Sequence, residues 1–167
     1  MRIITGLYKG KHFEIPRTFK ARPTTDFAKE NLFNVLTNLI DFEECANVLD
    51  LFAGSGQLGL EALSRGAEKA TFVDGAKDAT AIISANAQKT HLYQKSNVLC
   101  MDWEQYIKSA AGRNSFDIVF LDVCKETSSL SYHFKKTSVR VLILWMVLQV
   151  SIKLIDSVGK NSNLYFR

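Results

Sequence analysis

The sequence is poor in cysteine and histidine, and neither is clustered. Its three cysteines, Cys45, Cys100 and Cys124, form no Cys-x-x-Cys pair and no even set. That excludes a disulfide framework and a cysteine-based zinc site, and it fits a reducing, cytoplasmic compartment. The three histidines, His12, His91 and His133, are equally dispersed, so no metal is implied. A long apolar run is also lacking. The longest covers residues 141–148, eight in all, between Arg140 and Lys153. A bilayer span needs about 18–20. Residues 1–13 hold no continuous apolar stretch, so no secretory signal is expected there. There is no internal repeat and no low-complexity tract. Charge of one sign throughout is missing as well. The net charge is +4, but residues 1–25 carry +5, residues 26–122 carry −6 and residues 123–167 carry +5. A uniformly basic nucleic-acid coat is excluded, while basic surface at the two ends is allowed.

What is present is an ordinary globular composition. Of 167 residues, 47% are hydrophobic and 23% charged, enough for one domain with a sizeable core. Ile3-Ile4 and the stretch 13–15 are strand-like, and Gly6 and Gly10 punctuate the connection, which predicts a basic hairpin. Its Arg2, Lys9 and Lys11 either touch phosphates or are ordinary solvated surface. Arg22-Pro-Thr-Thr-Asp26 then opens a helix. Thr24 or Thr25 can cap it, and Asp26 suits its N-terminal dipole. Phe27, Leu32, Leu36, Leu39 and Ile40 recur at near-helical spacing to about residue 40. From residue 46 onward, strands at 48–52, 70–74, 97–101 and 116–121 alternate with helices at 58–64, 76–89 and 103–111. That alternation predicts an α/β fold with a parallel sheet covered on both faces.

The most informative stretch is Leu49-Asp-Leu-Phe-Ala-Gly-Ser-Gly-Gln-Leu-Gly59. Gly54, Gly56 and Gly59 form a G-x-G-x-x-G between a strand and a helix. Such a turn lets backbone approach a ligand closely, and the helix beyond it offers unpaired N–H groups. Asp74 ends the next strand, eighteen residues after Gly56, where a carboxylate can accept ribose hydroxyls. A nucleoside-containing cofactor fits this pattern. A nicotinamide dinucleotide would set a pyrophosphate at the helix N-terminus, but Asp50 stands just before the glycines. A carboxylate there suits a cationic ligand better. S-adenosylmethionine, with a sulfonium, an ammonium and a ribose, is the better match. Asp122 ends the fourth strand, where it suits an amine substrate. Asp102 follows the third strand, and there a helix N-cap and a ligand contact are both open readings.

These residues resemble the bacterial RsmD-like 16S rRNA (guanine-N2)-methyltransferases. The matching pieces are Arg2-Ile-Ile-Thr-Gly6, Lys9-Gly-Lys11, Arg22-Pro-Thr-Thr-Asp26, Asn31-Leu-Phe-Asn-Val-Leu36 and Phe116-Asp-Ile-Val-Phe-Leu-Asp122. The longest runs from Val48 through the glycine loop and Glu61-Ala-Leu-Ser-Arg-Gly66 to Ala67. Together they cover residues 1–122. The resemblance implies a class I, Rossmann-like methyltransferase with an N-terminal extension. It implies methyl transfer from S-adenosylmethionine to the exocyclic amine of a guanine in 16S rRNA, on 30S assembly particles, by a monomer. By position, Asp50, Phe52, Gly54, Ser55 and Gly56 would hold the methionine end, and Asp74 the ribose. Asp102 and Trp103 would border the adenine. Arg2, Lys9, Lys11 and Arg22 would contact RNA, and Asp122 would be catalytic.

The resemblance stops at Asp122. The family reads Asp-Pro-Pro-Tyr there, and this chain reads Asp122-Val-Cys-Lys125. Guanine N2 is a weak nucleophile, because its lone pair is delocalised into the ring. A carboxylate and a backbone carbonyl that accept its N–H groups orient it, and a stacked aromatic holds the flipped base. Asp122 is kept, but the ring has no counterpart at Lys125 and the nearest downstream aromatic is Tyr132. The three further strands and two helices of such a fold need about 55–65 residues, and 45 remain. No glycine lies between Gly112 and Gly159. Residues 139–155 are dense in Val, Ile and Leu and can supply one strand or one helix. Two readings of residues 123–167 stay open: a segment translated out of frame, or a diverged C-terminus. Weak turnover with retained cofactor binding is one expectation. A catalytically inactive RNA-binding module is the alternative.

Overall fold

The computed structural model describes residues 1–19, 24–110, 113–123 and the backbone of 138–146. The order of elements is helix α1 (Asp26–Thr37), strand β1 (Asn47–Leu51), α2 (Gln57–Ser64), β2 (Lys69–Asp74), α3 (Lys77–Lys89), β3 (Ser96–Cys100), α4 (Trp103–Ala110), β4 (Ser115–Val123) and β5 (Ser138–Met146). Short 3-10 turns precede β1 and β3. The strands form one sheet in the order β3-β2-β1-β4-β5, and every neighbouring pair is parallel. The expected strand–helix alternation is therefore present. β5 falls within the apolar stretch 139–155 apart from its first residue. It pairs with β4 from Ser115↔Ser138 to Val123↔Met146, so that edge of β4 is covered.

Period-two alternation divides the core in two. Val48, Ala70, Phe72, Ile118 and Phe120 pack with residues of α1, α2 and α3. Leu49, Leu51, Val73, Val119 and Leu121 pack with Tyr106, Ile107 and Ala110 of α4. Continuous apolar strands read as buried on both faces, and β1, β2 and β4 are, whereas the edge strand β3 is half-exposed. Asp50, Asp74 and Asp122 share the parity of Val48, Phe72 and Phe120. All three thus belong to the α1–α3 side of the sheet.

Several expectations are corrected. The N-terminal hairpin is not a pair of strands. Its antiparallel pairing reduces to one bridge, Arg2↔His12, flanked by the Ile3 N–H to Lys11 carbonyl and Phe13 N–H to Met1 carbonyl bonds, and the turn between the arms is held by α2. Ile4 and Thr5 donate their N–H groups to the Glu61 carboxylate at 2.8 and 2.9 Å. Leu7 N–H donates to the Ser64 carbonyl at 2.8 Å. Gly6 makes this approach possible: its φ is +88°, and a Cβ there would lie 1.8 Å from the Ser64 oxygen. Helix α1 ends at Thr37, with Asn38 as C-cap, short of residue 40. Phe27 is 75% exposed and Leu39 52% exposed, while Lys29 is fully buried. The buried face of α1 is therefore Lys29, Leu32, Phe33 and Leu36.

Lys29 is buried because it has work for its ammonium. It lies 3.9 Å from Glu61, donates to the Arg2 carbonyl, and sits 4.8 Å from the centre of the Phe13 ring. Burial lowers its pKa to about 8 despite Glu61 and Asp26. Glu61 also pairs with Arg65 at 3.0 Å. This buried acid is the common partner of α1, α2 and the extension. Removing one member of such a set leaves uncompensated buried charge. Glu61→Ala is expected to cost about 3–5 kcal/mol of unfolding free energy. Urea denaturation measures it, and a loss under about 1 kcal/mol would contradict the assignment.

Candidate functional site

Strand order reverses at β1: β2 and β3 extend the sheet on one side, β4 and β5 on the other. In a parallel α/β sheet this reversal leaves a crevice beyond the carboxyl ends of the strands on either side of it. Those strands are β1 and β4. The glycine loop leaves β1 there, and Asp122 lies near the end of β4.

Three carboxylates organise this edge. Asp50 is 1% exposed, and its Oδ2 accepts the Gly59 N–H at 2.9 Å. It thereby binds β1 to the first turn of α2. Burial raises its pKa to about 8, Gly59 opposes the rise, and the charges of Asp122 and Asp74 add to it. Asp74 spans two loops. Oδ2 accepts the Gly54 N–H at 2.8 Å, and Oδ1 accepts the Ala76 N–H at 2.9 Å. A carboxylate has about four acceptor sites, so capacity for ribose hydroxyls remains. Asp122 has one oxygen held and one not. Oδ2 accepts Thr24 Oγ1 at 2.8 Å, while Oδ1 is buried with no hydrogen-bond partner among the described residues. Burial raises its pKa, and the Thr24 bond works in the other direction.

The loop itself is shaped by unusual backbone. Phe52 has φ 70°, Gly54 53° and Gly56 78°. The Phe52 and Ala53 N–H groups both donate to the Val73 carbonyl, which tucks the loop over β2. Phe52 thus leaves β1 one residue earlier than expected. A Cβ at Gly59 would sit 2.3 Å from the Phe72 ring, so the third glycine serves helix–sheet packing. Ser55 is buried and accepts Gln57 Nε2 at 3.1 Å.

Asp102 is an N-cap: its Oδ1 accepts the Glu104 N–H at 2.9 Å. Trp103, the first residue of α4, packs its ring against Phe52 with centroids 5.9 Å apart. An aromatic wall therefore stands between the glycine loop and the β3 end. Asp50, Phe52, Gly54, Ser55, Gly56, Asp74, Asp102, Trp103 and Asp122 are all at this one edge of the sheet.

The basic residues divide. The Arg2 carbonyl and the Gln57 side chain both receive Lys29 Nζ, so Arg2 is near the loop end of α2. Its guanidinium lies 3.9 Å from Asp26. Lys9 follows Leu7 and Tyr8, which donate to Ser64 at the far end of α2. Lys11 lies over the Tyr8 ring at 5.1 Å. Arg22 and Lys125 lie outside the described residues. A pocket of about 570 Å³ also lies at the far end of α2, lined by Thr5, Gly6, Arg65 and residues 37–43. It contains none of the expected site residues.

Sequence reasoning missed Thr24, Lys29 and Glu61 as parts of this arrangement. Thr24 is legible only as a cap, yet Thr25 does the capping by accepting the Ala28 N–H. Among the described residues no group of His, Cys, Asp and Glu is arranged to hold a metal ion, and no helix is long and apolar enough to cross a membrane.

The Asp50 shift has a testable sign. Its folded-state pKa is raised from 3.8 to about 8, so its ionisation opposes folding increasingly as pH climbs through that window. Asp50→Asn keeps an acceptor for Gly59 and removes the ionisation. The Tm of the variant relative to the parent is expected to rise from about pH 5 to about pH 9. A difference that stays constant over that range would contradict the burial of an ionisable Asp50.

Comparison with known proteins agrees with this geometry. A family model described as Conserved hypothetical protein 95 matches residues 1–128. The ribosomal RNA small subunit methyltransferase D of Haemophilus influenzae is 39% identical over 123 residues, which is 73% of this chain and 62% of that protein. The Escherichia coli K12 protein of the same name is 49% identical over 74 residues, 44% of this chain and 36% of that one. The chain thus spans less than two thirds of the length of these relatives. Among solved structures, a hypothetical protein of Thermus thermophilus superposes with a TM-score of 0.76 at 25% identity, covering 87% of this chain and 85% of its own. An O-methyltransferase from Bacillus cereus, solved with SAH, shares the fold with a TM-score of 0.62 at 14% identity, covering 75% and 59%. The family model covers most of the chain, and the chain belongs to the Conserved hypothetical protein 95 family, that of the RsmD-like methyltransferases.

Proposed function

We propose that the chain binds S-adenosylmethionine and transfers its methyl group to N2 of a guanine in 16S rRNA, as a cytoplasmic monomer acting on 30S assembly particles. The observation that carries this reading is the placing of Asp50, Asp74 and Asp122 around one glycine loop, where the strand order reverses. The names of the relatives supply the substrate class.

The residues present fit the cofactor. Gly54 keeps a side chain out of the loop, so backbone can approach the methionine end, and Gly56, at φ 78° and close against Ile83, lets the turn enter α2. Ser55 and Phe52 flank it, and the buried Asp50 carboxyl lies behind it, where a bound cation would favour its ionised form. Asp74 retains acceptor capacity for the ribose while holding two loops. Trp103 gives an apolar wall for adenine, with Asp102 beside it. When bound, the cofactor supplies an electrophilic methyl group on a sulfonium.

The chain's own work is orientation. Asp122 Oδ1 is a buried acceptor lacking a donor among the described residues, and an exocyclic amine N–H is such a donor. Accepting it fixes the nitrogen and turns its lone pair out of conjugation with the ring. Arg2, Lys9, Lys11 and Arg22 give the extension cationic groups for phosphates. Lys9 stands farther from the site than Arg2, which suits an RNA that runs along α2. Lys125 replaces the ring that would hold a flipped base, so transfer is expected to be slow.

Cofactor affinity and turnover therefore separate. Calorimetry with S-adenosylhomocysteine is expected to show binding, and tritiated-methyl transfer to undermethylated 30S particles is expected to be weak. No binding at high concentration would overturn the cofactor assignment. Binding of both cofactor and RNA with no transfer at all would favour the inactive RNA-binding module.

A further inference from the structure

The hydrogen bond from Thr24 to Asp122 joins residues 98 apart in sequence. Helix α1 is capped by Thr25, so the Thr24 hydroxyl is not used there. Asp122 is left asymmetric: Oδ2 is held at 2.8 Å, and Oδ1 is buried without a donor among the described residues. A carboxylate with both oxygens free rotates about its Cβ–Cγ bond. A donor on one oxygen removes that freedom and favours the charged form.

We propose that Thr24 is a positioning residue for Asp122: its hydroxyl holds Oδ2, so that Oδ1 remains the acceptor for the substrate's exocyclic amine. This deepens the methyltransferase reading above and rests on it. Burial and the hydroxyl act on Asp122 in opposite directions. The titratable group coupled to it from β1 is Asp50. Its register partner on β5 is Trp145, which carries no charge. Thr24 is therefore the one donor among the described residues that favours the ionised form. It also belongs to the N-terminal extension, one residue beyond the Arg22-Pro23 pair. The segment expected to meet RNA and the group that sets the carboxylate are thus neighbours in the chain. An extension that only anchored RNA would not reach Asp122.

The test uses the full chain labelled with carboxyl-13C aspartate, with the Asp122 signal assigned by Asp122→Asn. Titrations compare the parent with Thr24→Val and Thr24→Ser. The valine variant is expected to move the Asp122 midpoint upward, and the serine variant to restore it. Methyl transfer is expected to fall about tenfold in kcat with Thr24→Val, equivalent to about 1.4 kcal/mol, with KM for the cofactor unchanged and recovery in Thr24→Ser. An Asp122 midpoint identical in all three, or a serine variant that behaves like valine, overturns the proposal. The serine variant keeps the comparison decisive should the valine variant fold poorly. Absence of transfer in the parent would overturn the function reading, and the titration would still decide the Thr24 assignment.

Discussion

The sheet grows outward from β1 in both directions, and that single constraint places everything else. β2 and β3 pair on one side, β4 and β5 on the other, all in parallel. The chain leaving β1 goes on to β2 on one side and the chain leaving β4 goes on to β5 on the other, so the two diverge at the crevice and the ends of β1 and β4 can be lined with polar groups. The period of two then assigns Asp50, Asp74 and Asp122 to the same side of the sheet as α1, α2 and α3. Acids at strand ends in a polar loop region are ordinary. Acids there whose oxygens accept loop backbone N–H groups fix the loop itself. Asp74 does this for Gly54 and Ala76, and Asp50 for Gly59. The same carboxylates that are proposed to meet the cofactor therefore also hold the loop and the start of α2 in place.

The N-terminal extension is tied to this edge by a second set of buried charges. Glu61 receives two backbone N–H groups of the extension, and Lys29 spans from Glu61 to the Arg2 carbonyl and Gln57. Gln57 in turn donates to Ser55 in the glycine loop. Thr24 adds a direct link to Asp122. Extension and loop are connected by hydrogen bonds at every step. A basic arm that merely decorated the surface would need none of them.

Much of this is legible from the residues. Apolar runs separated by helical patterns announce the parallel sheet, and the glycine spacing announces the tight turn between β1 and α2. The strand limits follow less well. Phe52 looks like a strand residue, but its positive φ belongs to the loop. Helix α1 departs from its pattern for a related reason. Hydrophobic spacing selects Phe27 and Leu39, whereas burial of Lys29 depends on Glu61, thirty-two residues away. Long-range charge pairing leaves no local periodic signal. The same holds for Thr24, whose partner lies at the far end of the core. Residues whose role is set by a distant partner are the ones that pattern reading overlooks.

The proposed cofactor site is the crevice at the ends of β1 and β4. Amide chemical-shift mapping with S-adenosylhomocysteine tests it most directly. Shifts are expected at Gly54, Gly56, Ala76 and Asp122, and at the Trp103 indole. Shifts confined to residues 37–43 and Arg65, at the opposite end of α2, would contradict it.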